Sequence, residues 1–105
     1  AVLVGDRVRV GQTVQLQLRD RAAASEDLTT LLLDAEQRGP HPRGVLLFSC
    51  GGRGERLFRE PSHDVMRVRR CFGDVSLAGV FCAGEFGSVG GRNFLHGFTA
   101  SLALL

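Results

Sequence analysis

The residues with the most chemistry at close spacing lie in "LLFSCGGRGERLF", residues 46–58, where Cys50, Arg53 and Glu55 stand among Gly51, Gly52 and Gly54. A cysteine there offers thiolate chemistry, which nearby positive charge and amide donors favour. Arg53 offers a planar fork able to bind a carboxylate through two hydrogen bonds. The glycines have two readings: left-handed backbone in a tight loop, or missing side chains that let a ligand touch the main chain. A second acid, Glu85, sits between Gly84 and Phe86. It either pairs with Arg53 or Arg92 or waits for a cationic ligand group. An Arg and a Glu facing one pocket would suit a zwitterion such as an amino acid.

Other chemistries fit less well. A nucleotide-binding P-loop needs a lysine and the chain has none, and neither glycine loop matches GxGxxG. A Cys50 nucleophile would need a base, and His63, followed directly by Asp64, is the available candidate. Neighbours on a helix do not face each other, so the two are expected to be a poor orienting pair and the protein is expected not to be an enzyme. His41 and His96 match no metal spacing, and Cys50, Cys71 and Cys82 contain no CxxC pair. Neither a zinc site nor a disulfide framework is expected, and a reducing cytoplasm is the expected compartment. Cys71 and Cys82 read as structural, and no cofactor is implied.

The elements that must hold these residues follow from periodicity. "TVQLQLRD", residues 13–20, alternates Val14, Leu16 and Leu18 with polar residues, which predicts a strand buried on one face. In "SEDLTTLLLDAEQRGPHP", Leu28, Leu31, Leu32 and Ala35 recur at helical spacing, with Asp20 or Ser25 to start the helix and Gly39-Pro40 to stop it. "GVLLFSC" and "LAGVFCAG" are apolar without alternation and predict strands covered on both faces. A second helix between them carries Val65, Val68 and Phe72 on one face, with Ser62 as its N-cap and Gly73 as its left-handed end. A last strand is expected in "GFTASLALL", with Phe98, Ala100, Leu102 and Leu104 inward.

The expected fold class is α+β: one domain with a mixed β-sheet, a β-α-β crossover and about two helices packed on it. The crossover makes the two apolar strands parallel, so "CGGRGE" and "AGEFGSVGGRN" leave the same edge of the sheet. Ligands in such sheets bind beyond the carboxyl ends of parallel strands. The candidate ligand-binding residues are therefore Cys50, Gly52, Arg53 and Gly54 from the first loop and Gly84, Glu85, Phe86, Arg92 and Asn93 from the second.

Composition narrows the partners. The 105 residues suit one core, 44% are hydrophobic and 23% charged, and all 13 basic residues are arginine. A net charge of +2 without Tyr or Trp argues against nucleic acid, and no apolar run is long enough for a membrane span. The chain opens "AVLVGDRVRVGQ" without methionine, in what reads as strand and turn, so it is expected to belong to a longer protein.

The order of "LLFSCGGRG", "LFREPSHDVMRVRRCFGDVSLAGVFCAGEFG" and "GRNFLHGFTASLAL" resembles the C-terminal domain of the FIST family, F-box and intracellular signal transduction. The resemblance rests on Phe48-Ser49-Cys50 with Gly52-Arg53-Gly54, on Leu77-Ala78-Gly79 with Gly84-Glu85-Phe86-Gly87, and on Phe94-Leu95-His96-Gly97-Phe98-Thr99. The family usually has asparagine where this chain has Gly51, and often an aliphatic residue where it has Phe86, which would reduce pocket volume. The resemblance implies a bacterial, cytoplasmic sensory domain for a small ligand, with an amino acid as the ligand class. It also implies an N-terminal FIST domain in the same protein and a signalling partner. It supplies no catalytic residues. The alternative is a protein-interaction module in which the same loops recognise a partner's segment.

Overall fold

The computed structural model describes residues 1, 7–16 and 18–105. The first helix, α1 (Arg21–Arg38), starts where Asp20 takes extended backbone and its Oδ2 accepts from the Ala23 N–H at 3.1 Å. An N-cap carboxylate satisfies one of the amides that the first helical turn leaves without a partner. Asp20 therefore starts the helix, and Ser25 lies inside it. Gly39 ends it in extended backbone, with its N–H on the Ala35 carbonyl.

The strand β1 (Gly44–Cys50) runs next, followed by the short helix α2 (Gly54–Phe58), the helix α3 (His63–Phe72) and the strand β2 (Ser76–Cys82). β1 and β2 pair in parallel from Gly44↔Ser76 to Cys50↔Cys82, so the expected crossover is present. Ser62 occupies the N-cap of α3 but in left-handed backbone, and its side chain makes no cap hydrogen bond. Gly73 ends α3 at φ 65°, with its N–H on the Arg69 carbonyl.

Residues 85–93, expected as loop, are mostly strand. β3 (Glu85–Val89) and β4 (Arg92–His96) form an antiparallel hairpin closed by Gly90 and Gly91, both at positive φ (58° and 77°). Two glycines between short strands are the signal of a two-residue hairpin turn whose twist suits the flanking strands. The last strand, β5 (Ala100–Leu104), pairs antiparallel to β1, giving the mixed sheet order β2-β1-β5. Leu102 packs on the core as expected, but Leu104 is exposed, and Phe98 precedes the strand at φ 63° and is exposed.

The core lies on one face of this sheet. Leu28 and Leu32 of α1, Val68 and Phe72 of α3, Val45 of β1 and Val75 form one buried cluster. Along β1 the side chains of Val45, Leu47 and Ser49 are buried, as the two-residue strand period requires for the face under the helices. The other face has no helical layer among the described residues, so β2 is not covered on both sides as expected: Val80 and Phe81 are exposed. Nor do Thr13–Leu16 and Leu18–Asp20 form a strand. Val14, Leu16 and Leu18 are exposed, and Gln17 lies outside the described residues. Alternation makes a segment competent to be a strand, but pairing needs a partner backbone, and among the described residues β2, β1 and β5 pair with one another.

Gly79 lies opposite Leu47, where a Cβ would run into the Leu47 carbonyl oxygen. Gly79→Ala is expected to lower stability by about 1–3 kcal/mol, the usual cost of overpacking. Chemical denaturation with an unchanged m-value would confirm it; a neutral result would contradict so close an approach of β1 and β2.

Candidate functional site at the carboxyl edge of the sheet

Two buried acids and one buried arginine meet the end of β1. Arg53, the N-cap of α2, is 5% exposed, Asp64 in the first turn of α3 is 7%, and Glu85 at the start of β3 is 3%. Arg53 Nε donates to Asp64 Oδ2 at 2.9 Å and Nη2 to Oδ1 at 3.0 Å. Ser49 Oγ donates to the same Oδ2 at 2.8 Å, and His63 Nδ1 lies 3.0 Å from Oδ1. Phe58 stacks on the His63 ring at 3.5 Å and 7°, and the Arg53 guanidinium lies 5.1 Å from the Phe58 ring centre.

Arg53 therefore pairs with Asp64 and not with Glu85, and its side chain is buried. Asp64 was read as badly placed beside His63. At the first turn of a helix the two side chains can converge, and here they do. Burial alone would push the Asp64 carboxyl up, but hydrogen bonds from Arg53, His63 and Ser49, with the Arg53 charge, outweigh it and hold the group below its ordinary value of 3.8.

The glycine loop is occupied by the chain itself. Gly51, Gly52 and Gly54 are not among the glycines at positive φ. A Cβ on Gly52 would come within 2.6 Å of the Phe98 ring, so this glycine is needed for close approach. The Arg19 guanidinium covers Phe98 at 4.1 Å from the ring centre. Gly51 donates to the Cys82 carbonyl at 2.9 Å, tying the two loops together at the expected edge. Gly54 opens α2. Cys50 is buried, with its N–H on the Thr99 carbonyl at 2.9 Å.

Glu85 is held on one side only. Thr99 Oγ1 donates to Oε2 at 3.0 Å, whereas Oε1 is buried without a hydrogen-bond partner among the described residues. Thr99 also lines a cleft of about 350 Å³ with Asp27, Leu31, Arg53 and Phe98. Gly84 adjoins Leu95 at the base of the hairpin. The remaining candidates do not join this edge. Phe86 is 78% exposed, so it does not fill a pocket. Arg92 and Asn93 pair with Val89 and Ser88 near the hairpin turn, four and three residues along β3 from Glu85, or about 13 Å and about 10 Å at strand rise. Arg92 therefore does not neutralise Glu85.

Residues 1–88 match the FIST C domain family. The chain belongs to that family. Within this FIST C domain the match covers β1 to most of β3, whereas the closing motif from Phe94 to Thr99 lies beyond the matched residues. An uncharacterized protein of Mycobacterium tuberculosis is 51% identical over 106 residues, covering 99% of this chain and 27% of that protein. An uncharacterized protein of Mycobacterium bovis is 46% identical over 105 residues, again 99% and 27%. The chain thus spans about a quarter of the length of the curated relatives it matches. No solved structure matches it. A Cβ on Gly51 would meet the Cys82 carbonyl oxygen at 3.7 Å, an ordinary van der Waals distance.

The sequence reading missed the acceptor of Arg53 because Asp64 is eleven residues away, across α2. No group of three or more His, Cys, Asp or Glu among the described residues is placed to hold a metal ion, and no described helix is long and apolar enough to cross a membrane.

Arg53→Ala is expected to cost about 3–5 kcal/mol in urea denaturation, because it leaves Asp64 buried without its cation. A loss below about 1 kcal/mol would mean that the pair is solvated. The depressed Asp64 carboxyl also gives a sign for pH. Its contribution is complete above the ordinary carboxyl value and is lost as pH falls through the lower folded value, where protons bind the unfolded chain first. Between about pH 6 and about pH 2 the stability of Asp64→Asn should fall less steeply than that of the wild type, whereas parallel curves would remove Asp64 from the acid transition.

Proposed function

We propose that this FIST C domain is a small-ligand-binding sensory domain of a bacterial, cytoplasmic signal transduction protein, working with an N-terminal FIST domain of the same polypeptide. Family membership supports the signalling role. The ligand reading is carried by one observation: Glu85, 3% exposed, keeps a carboxylate oxygen without a hydrogen-bond partner among the described residues. A buried carboxylate without full hydrogen bonding is costly, and a ligand ammonium group would complete it. The ligand class is amino-acid-like. Because Arg53 is engaged by Asp64, recognition rests on the ammonium end.

A signal arises when the ligand binds one arrangement of the two FIST domains better than another, since only differential affinity shifts a conformational equilibrium. The adaptor reading, a protein-interaction module without a small-molecule ligand, draws support from the hairpin, where the cross-strand neighbours Phe86 and Leu95 are 78% and 68% exposed.

Thermal unfolding of the full-length protein with each amino acid, in wild type and Glu85→Gln, tests this reading. One amino acid should stabilise the wild type in proportion to concentration, by about 2.7 kcal/mol at a hundredfold excess over Kd, and should leave Glu85→Gln unaffected. A screen without any shift would favour the adaptor reading. An equal shift in the variant would move the site away from Glu85.

A further inference from the structure

His63 connects two further groups, and the direction of each hydrogen bond can be assigned. Its Nδ1 faces Asp64 Oδ1 at 3.0 Å, and its Nε2 lies 3.0 Å from Ser25 Oγ on α1. The same Nε2 receives Arg67 Nε at 3.4 Å. A guanidinium can only donate, so this nitrogen carries the lone pair. The ring proton is then on Nδ1, directed at the ionised Asp64, and the Ser25 hydroxyl donates to Nε2. Serine hydroxyl to Nε2 and Nδ1–H to a buried carboxylate is the reactant arrangement of a serine nucleophile with its general base.

The surroundings fix this arrangement. Arg53 and Ser49 pin Asp64, and Phe58 lies flat against the imidazole, which itself is 4% exposed. Ser25 is only half-buried and opens on a cleft of about 280 Å³ that Arg21 and Arg67 also line. Glu60 Oε1 stands 3.9 Å from Nε2. Arg67 Nε, at 3.4 Å, is the nearer of the two charged groups, so this cation must draw back from Nε2 for the nitrogen to take the Ser25 proton.

We propose that Ser25, His63 and Asp64 form an acyl-transfer site for a small carboxylic ester, separate from the Glu85 edge. Ser25 Oγ attacks the ester carbonyl carbon and its proton passes to His63 Nε2. The carbonyl electron pair moves onto oxygen beside the Arg21 and Arg67 guanidinium groups. The carbonyl re-forms as the bond to the alkoxy group breaks, and the leaving alkoxide takes the proton from His63. Water, deprotonated by His63, then attacks the acyl-Ser25 carbonyl, and the acid departs with Ser25 restored. The sum is ester plus water giving acid plus alcohol.

A fluorophosphonate probe on the folded full-length protein, with the adduct mapped by peptide mass spectrometry, tests the site. Ser25 Oγ displaces fluoride, and the reaction reads nucleophilicity, which a merely structural hydrogen bond would not raise. Ser25 should be phosphonylated at least about a hundredfold faster than Ser88, an exposed hairpin serine paired with Asn93, as general-base catalysis requires. Ser25→Ala, which removes only a half-buried hydroxyl, should abolish the fast adduct and any turnover of p-nitrophenyl acetate. Labelling of Ser25 no faster than Ser88, or a fast adduct that persists in Ser25→Ala, would overturn the assignment.

Discussion

The buried pair between Arg53 and Asp64 sets the positions of most other groups at the carboxyl edge of the sheet. An ion taken out of water is strongly unfavourable unless its charge and its hydrogen-bonding capacity are both met. Asp64 meets that condition through two bonds from Arg53, one from Ser49 and one from His63. Each donor comes from a different place: the end of β1, the N-cap of α2 and the first residue of α3. One carboxylate therefore fixes where the chain leaves the sheet, how α2 begins and how α3 is seated. His63 extends the network to Ser25, so α1 is joined to it as well.

The same constraint changes the meaning of the glycine-rich loop. Arg53 faces inward, and the space beside Gly52 is taken by the Phe98 ring and the Arg19 guanidinium that covers it. Phe98 holds left-handed backbone at φ 63°, which is unfavourable for an aromatic residue and persists only where neighbours determine it. The loop is thus a packed junction between β1 and the segment entering β5. At this edge Glu85 keeps a second oxygen without a hydrogen-bond partner among the described residues, the feature on which the proposed ligand reading rests.

The two proposed sites stand on opposite sides of one network. Glu85 and Thr99 lie at the hairpin side, and Ser25 and His63 lie between α1 and α3. Arg53 separates them, lining the cleft beside Thr99 while holding the Asp64 that orients His63.

By itself, the sequence determined what depends on neighbours along the chain. The helical spacing of Leu28, Leu32 and Ala35, the stop at Gly73 and the apolar runs of β1 and β2 are local signals, and the α+β class and the parallel crossover followed from them, while the choice of Asp20 over Ser25 as the cap came from the structure. The tertiary structure decided what depends on partners far along the chain. The alternating segment that ends at Asp20 is not strand among the described residues, and the Gly90-Gly91 turn needed the pairing of β3 with β4 to become a hairpin. Arg53, Asp64 and Glu85 were each visible as charged residues near apolar strands. Which of them neutralised which was settled only in three dimensions, because burial makes an ion take whichever counter-charge the packing brings within about 3 Å, and sequence order does not encode that distance.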